Sequence, residues 1–478
     1  MDSFLVAIDN GSQSTKVLVV DQDGRVHASA RVGLRPYDTS RPGRAVHPDD
    51  DVWESIATAC ATALDRFSGD RSRIVGVGLC TIRFCRAYLR EDAALAEPLL
   101  SWMDERVGRP FDADADGAQD VRWITSSSGY VSHRLTGERT DASGNLQGVW
   151  PIDPARWRWS DDPAAYRSTG MPREMLFDLR DPGEELGRVT AAASARTGLP
   201  EGIPVFATSN DKAVEALGAG AGDEGAVLLS LGTYIAAMTA GAGPEHGVAF
   251  WSNFAARPAA HLAESHGVRR GMWTVSWLRQ LLQPEGSADE TMYDLEAILD
   301  AEAAAVPAGS DGVAAVLDWL APADEPWRRG ALIGFSGAQG RAHLYRAILE
   351  AIALTMADNV DAMAAELGRA PQRLVVTGGG ARSATLRRIL ADVFEVPVHR
   401  TGLDDAAGLG AAVCAAVGAG VHPDWEAALA AMVHPGDETR PGADAATYRR
   451  LRSWHRGVRE RVAELSRWAA ENGPYPVG

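Results

Sequence analysis

No stretch of this sequence holds the ~18 to 20 uninterrupted apolar residues that cross a bilayer, and the chain runs from Met1 straight into an apolar strand without a basic leader. These absences predict a soluble chain with no membrane partner. Basic residues are in deficit: 47 Lys and Arg against 64 Asp and Glu leave a formal net charge of −17. A protein that grips a nucleic-acid backbone needs a basic surface, so nucleic acid is excluded as a non-specific partner. Small anions are not excluded, because backbone N–H groups, a helix N-terminus, one lysine and a divalent cation can hold a phosphate. Cysteine is scarce too. Cys60, Cys80, Cys85 and Cys414 form no CxxC pair and each lies in an apolar context, which reads as reduced core thiols and predicts a cytoplasmic protein.

Aromatic residues make up only 7% of a chain that is 46% hydrophobic and carries 49 glycines. That balance predicts an α/β fold with many tight strand-to-helix turns, and 478 residues leave room for two large domains. The stretch from Ala207 to Gly220 organises the reading. A buried strand over Pro204–Ala207 ends in Thr208-Ser209-Asn210-Asp211, and a small-residue helix begins. A carboxylate placed there can project into a cleft as a general base; the same residues also spell a helix N-cap.

At the N-terminus three strands joined by tight turns predict a meander, Phe4–Ile8, Lys16–Val20 and Arg25–Val32. The first turn carries Asp9, Gly11, Ser12, Gln13, Ser14, Thr15 and Lys16, the components of a phosphate-binding hairpin with a metal-positioning carboxylate, or of an ordinary polar turn. A helix opened by Pro48-Asp49-Asp50-Asp51 follows, with Trp53, Ile56, Cys60, Leu64 and Phe67 on one face. The strand Ile74–Leu79 delivers Arg83 beyond its C-terminal end, the edge where open α/β sheets carry ligands. Arg83 is therefore a candidate substrate contact. Trp102, Asp104 and Arg106 could recognise a polyol, or Asp104 could form a plain salt bridge. The tryptophan- and proline-rich segment Trp150–Ser160 receives no chemistry.

The N-terminal pattern recurs as Ala226–Leu231, then Gly232-Thr233-Tyr234, then Ile235–Met238, a short echo that suggests two half-domains each offering a phosphate hairpin to one cleft. Leu344 to Val360 predicts a long core helix. The strand Leu374–Thr377, the run Gly378-Gly379-Gly380 and a helix after Ser383 form a strand, glycine, helix series in which a base or ribose can lie on bare backbone. A glycine- and alanine-rich helix over 406–420 and a charged helix over 444–472 complete the chain.

In order along the chain, the Asp9–Lys16 hairpin, Trp102-x-Asp104-x-Arg106, Leu135-Thr136-Gly137-Glu138, Asn210-Asp211-Lys212, Ser230-Leu231-Gly232-Thr233, Arg341-Ala342-His343-Leu344, Thr377-Gly378-Gly379-Gly380 and Leu409-Gly410-Ala411-Ala412 resemble the FGGY family of carbohydrate kinases, and within it an uncharacterised sugar-kinase subgroup. The resemblance implies an α/β fold of two actin-like, ribonuclease-H-like domains flanking a catalytic cleft, 1–221 on the sugar side and 222–443 on the nucleotide side, with 444–478 as a helical tail. It implies ATP and Mg²⁺ as cofactors and a small sugar or polyol as substrate. Asp211 then resembles the general base, and Asp9 with Asp211 the metal-placing carboxylates. Gly11, Ser12, Gln13, Ser14, Lys16, Gly232, Thr233, Gly379, Gly380 and Ser383 match the ATP site; Arg83, Trp102, Asp104 and Asp211 match the substrate site.

Three departures bear on the substrate. The family's segment between Trp-x-Asp-x-Arg and Leu-Thr-Gly-Glu is largely missing, leaving Val107–Arg134. The methionine-histidine pair of xylulokinase-like members is replaced by Ile82-Arg83-Phe84, where Arg83 is similar to the arginine of glycerol kinases and autoinducer-2 kinases without the adjacent glutamate. Asp405 stands where many members carry Glu. A non-catalytic actin-fold sensor and a kinase of a non-sugar hydroxyl are the competing readings, and a homodimer is one assembly open to the chain.

Overall fold

The computed structural model describes residues 3–283, 291–322 and 324–473. The ends of the expected domain ranges, residues 1–2 and 474–478, lie outside it. Two mixed sheets carry the chain. The first contains β1 (Phe4–Asn10), β2 (Ser14–Asp21), β3 (Val26–Gly33), β4 (Ile74–Thr81), β5 (Glu185–Arg188) and β6 (Pro204–Asn210), in the order β5-β6-β4-β1-β2-β3. The expected meander is its antiparallel edge, and β1, β4 and β6 are parallel neighbours. Side chains alternate across such a strand. Val6 and Ile8 pack with Trp53, Ile56, Cys60 and Leu64 of α1 (Asp51–Arg66), while Leu5 and Ala7 face the opposite way.

The second sheet contains β7 (Ala226–Leu231), β8 (Ile235–Ala240), β9 (Phe250–Phe254), β10 (His261–Ser265), β11 (Arg373–Thr377), β12 (Val398–Thr401) and β13 (Pro435–Thr439), in the order β9-β10-β8-β7-β11-β12-β13. Val227, Leu229 and Leu231 pack toward the long helix Arg341–Leu367 and the helix Ala384–Phe394, whereas Leu228 and Val375 face the first sheet. The helices α2 (Asp211–Gly218) and α3 (Ala406–Gly418) fill the space between the sheets in one central cluster with Leu5, Ala7, Leu228 and Val375.

Small residues make that central layer thin. A Cβ on Gly218 would lie 1.9 Å from the Ala406 carbonyl, and one on Gly410 would lie 2.0 Å from the Val214 carbonyl. The two helix backbones therefore touch, and only glycine fits. Residues of α3 are distant in sequence from the first sheet yet lie on β1, β4 and β6. The C-terminal helix Ala445–Asn472 is no detached tail: Tyr448, His455 and Val462 are buried, and it packs on the helices Arg341–Leu367 and Ala384–Phe394. Within the segment Val107–Arg134, Asp112 caps a single helical turn, Ala113–Asp116.

Candidate active site

Parallel strands end together, and the chemistry sits on those ends. Asp9 is the penultimate residue of β1, Arg83 follows β4, and Asp211 follows β6. In the second sheet Thr233 follows β7, Gly379 follows β11 and Asp405 follows β12. The cap question at β6 has a definite outcome. The Asn210 side chain, not that of Asp211, accepts the Ala213 N–H at 3.1 Å, and its amide donates to Gly144 O, Ser209 Oγ, Asn253 Oδ1 and Phe254 O. Asp211 is left half-buried, and its Oδ1 accepts the Arg83 backbone N–H at 3.4 Å.

Lys16 stands directly across the ladder from Asp9. Its Nζ reaches Asp9 Oδ2 at 3.2 Å and Asp405 Oδ1 at 3.3 Å, tying the two sheets together. Asp405 also caps α3 through the Gly408 N–H. One ammonium faces several carboxylates, and burial followed by the neighbouring Asp405 and, more weakly, Asp211 pushes Asp9 up to about 7 against the pull of Lys16. Among the described residues, no group of three or more His, Cys, Asp or Glu side chains is close enough to hold a metal ion directly. In the hairpin, Gly11 closes the turn with its N–H on Ser14 O, and Ser12 and Gln13 are exposed. Ser14, by contrast, is buried, with its Oγ accepting from Arg31 Nε at 3.0 Å.

In the first half, Arg83 is partly exposed and is not paired with Asp104. Its guanidinium makes a two-pronged pair with Glu264 of β10, Nη1 to Oε2 at 2.7 Å and Nη2 to Oε1 at 2.9 Å, and lies over the Trp251 ring at 4.7 Å. Burial disfavours the charge on Arg83, and Glu264 more than restores it, so its pKa stands above the ordinary value. Glu264 is 0% exposed. Asp104 is corrected as a substrate contact: both its oxygens are filled by Arg106 Nε and Nη2 at 2.8 Å and by the Ala45 and Arg106 N–H groups. Trp102 remains half-exposed beside Tyr37.

In the second half, Gly232 is half-buried and Thr233 exposed. Gly378, at φ +79°, and Gly379 are exposed, and a Cβ on Gly379 would meet only the tip of Arg382 at 3.9 Å. Gly380 is corrected as a contact surface, being buried with Met272 Sδ and Leu231 Cβ inside 3.0 Å of where a Cβ would stand. Ser383 caps the helix Ala384–Phe394 through the Leu386 N–H, and its hydroxyl donates to Asp300. A cavity of about 400 Å³ opens beside it, lined among others by Asp300, Tyr345, Arg382, Ser383 and Arg388. The buried Tyr345 hydroxyl has no partner among the described residues. Between the halves, Lys212 Nζ bonds Glu215 and Ser230, and Glu215 accepts from Thr377.

Sequence reasoning left open which of Ser209, Asn210 and Asp211 is the cap, and it missed Glu264, Glu215 and Tyr37, whose hydroxyl donates to the Ser12 carbonyl at 3.3 Å. Asn210 carried a signal, since Asn is a preferred cap; the missed residues act through partners far along the chain.

Comparison with known proteins follows this geometry. Residues 4–113 match the N-terminal domain and residues 227–419 the C-terminal domain of the FGGY family of carbohydrate kinases. The chain is 44% identical over 437 residues to the uncharacterized sugar kinase YgcE of Escherichia coli (strain K12), covering 91% of this chain and 88% of that one. It is 26% identical to a glycerol kinase of Dechloromonas aromatica, covering 96% and 97%. The crystal structure of xylulose kinase from Rhodospirillum rubrum superposes with a TM-score of 0.82 at 25% identity, covering 98% of this chain and 100% of that one.

Proposed function

Because the chain belongs to the FGGY family of carbohydrate kinases, phosphotransferases with an alcohol group as acceptor, we propose that it moves the γ-phosphoryl group of ATP to a hydroxyl of a small ketose, polyol or related metabolite. The observation that carries this reading is the freedom of Asp211. Asn210 does the capping, so the Asp211 carboxylate is available to take the proton of the attacking hydroxyl as the oxygen bonds to phosphorus and ADP leaves. A base in this position adds typically 10² to 10⁴ in rate, and positioning with charge neutralisation supplies most of the rest.

Thr233 and the bare backbone of Gly379 support nucleotide contacts on the second sheet, with the Asp300–Tyr345 cavity sized for adenosine. Ser12 and Gln13 face the same cleft from the first hairpin. The residues fit a divalent cation held through water. Asp9 and Asp211 present hard oxygen donors, and a cation would offset the carboxylate charge that Asp9 and Asp405 place around the single Lys16 ammonium. Mg²⁺, when bound with ATP, supplies neutralisation of the phosphate oxygens. Arg83, held by Glu264, orients the acceptor, and Trp102 and Tyr37 wall it.

The test is coupled ADP release over a panel of ketoses and polyols, with and without Mg²⁺. Turnover by the wild type and its loss in Asp211→Asn are expected. ATP binding without ADP release on any acceptor would sink the reading in favour of a sensor.

A further inference from the structure

A second cavity, of about 420 Å³, lies between the segment 146–154 of the first half and residues 244–261 of the second. Its volume falls within the roughly 300 to 1,000 Å³ of small-molecule sites and equals about 14 waters at roughly 30 Å³ each. That is space for a hexose ring. Its lining residues include no Asp, Glu, Lys or Arg; the walls are aromatic, from Phe84, Trp150, Trp251 and Phe254, with Gln147, Ser252, Asn253 and two histidines between them.

Three observations link this cavity to the acceptor side of the cleft. Its wall residues Phe84 and Trp251 are the two rings over which the Arg83 guanidinium lies, at 5.5 and 4.7 Å. Asn253 donates from the same wall to Glu264. Phe84 itself sits at φ +60°, a conformation that costs a bulky residue free energy and persists where the surroundings enforce it, commonly at binding sites.

We propose that this cavity is a subsite for an uncharged sugar ring, so that the acceptor is a hydroxylated chain bearing a glycosyl group rather than a bare three- to five-carbon polyol. The inference rests on the kinase reading above for the site it extends. Aromatic faces meet the C–H faces of such a ring. The absence of charged side chains in the lining disfavours a phosphorylated or carboxylated ring, because no counter-charge would meet it.

The experiment compares glucosylglycerol with glycerol and maltitol with sorbitol, by ADP release and, independently, by calorimetric titration of the nucleotide-free protein. The ring-bearing member of each pair is expected to have at least tenfold higher kcat/KM and tighter binding. Ile152→Trp and Ser252→Trp, which narrow the cavity from its two halves, should each lower that ratio about tenfold, the second serving if the first folds poorly. Equal kcat/KM and equal binding for ring-bearing and bare acceptors, or a ratio unmoved by both variants, overturns the subsite. Ring-selective binding lost in the variants, with no ADP released on any acceptor, retains the subsite and removes the kinase reading instead.

Discussion

Asp211→Asn and Asn210→Ala alter neighbouring residues with opposite expected consequences. Because the cap on α2 is the Asn210 side chain bonded to the Ala213 N–H at 3.1 Å, Asp211→Asn removes only a favourable charge in the first turn, worth about 0.3 to 1 kcal/mol. Its catalytic cost should be far larger: a kcat lower by a factor on the order of 10² to 10⁴, equivalent to about 2.7 to 5.4 kcal/mol of barrier. Asn210→Ala loses the cap, about 0.5 to 2 kcal/mol. It also removes a two-hydrogen amide donor from a buried cluster of acceptors, Ser209 Oγ, Asn253 Oδ1 and Phe254 O, and an acceptor left unsatisfied there costs on the order of 1 to 3 kcal/mol. Denaturant unfolding and coupled ADP release on the same preparations separate the two. Asp211→Asn should unfold near the wild-type midpoint and be nearly inactive, and Asn210→Ala should unfold several kcal/mol earlier. An Asp211→Asn variant that keeps most of its turnover, or that unfolds like Asn210→Ala, would refute the assignment of base and cap.

The remaining predictions test other parts of the cleft. Thr233→Val should raise the KM for ATP severalfold and leave acceptor affinity unchanged; equal weakening of both would move this turn to the acceptor side. Arg83→Met leaves the buried Glu264 unpaired and should cost about 3 to 5 kcal/mol of stability, much of it recovered in Arg83→Met/Glu264→Leu, whereas acceptor KM should stay raised in both; restored acceptor affinity in the double variant would show that the pair only braces the wall. Burial of His47, only partly opposed by Asp51, pushes it down to about 4 from an ordinary 6.5. The folded state therefore holds it neutral while the unfolded chain binds a proton, so the stability it confers is complete above pH ~6.5 and falls by about 3 kcal/mol as the pH drops toward 4. His47→Leu should flatten that decline in unfolding measured at pH 7 and 4.5, and parallel declines in variant and wild type would defeat the assignment.

What the sequence alone determined was local and periodic. Alternation in Phe4–Ile8 and the 3- and 4-residue spacing from Trp53 to Phe67 specify strand and helix because each buries one face. Gly137 at φ +76° ends its helix as expected from a residue without a Cβ, and the motifs that carry family membership are short contiguous runs. The tertiary structure decided what depends on distant partners. Whether Asp211 or Asn210 caps α2 turned on Gly144, Asn253 and Phe254 collecting the Asn210 amide. The partner of Arg83 is 181 residues away in Glu264, while Asp104, nearer in sequence, is already saturated by Arg106 and Ala45. Lys16 meets Asp405 across 389 residues, and the aromatic cavity is assembled from two segments, one of which, Trp150–Ser160, shows no periodicity. Local spacing determines which backbone hydrogen bonds a segment can make; ion pairs and cavities depend on which strand ends the topology brings together, and that is a property of the packed sheets.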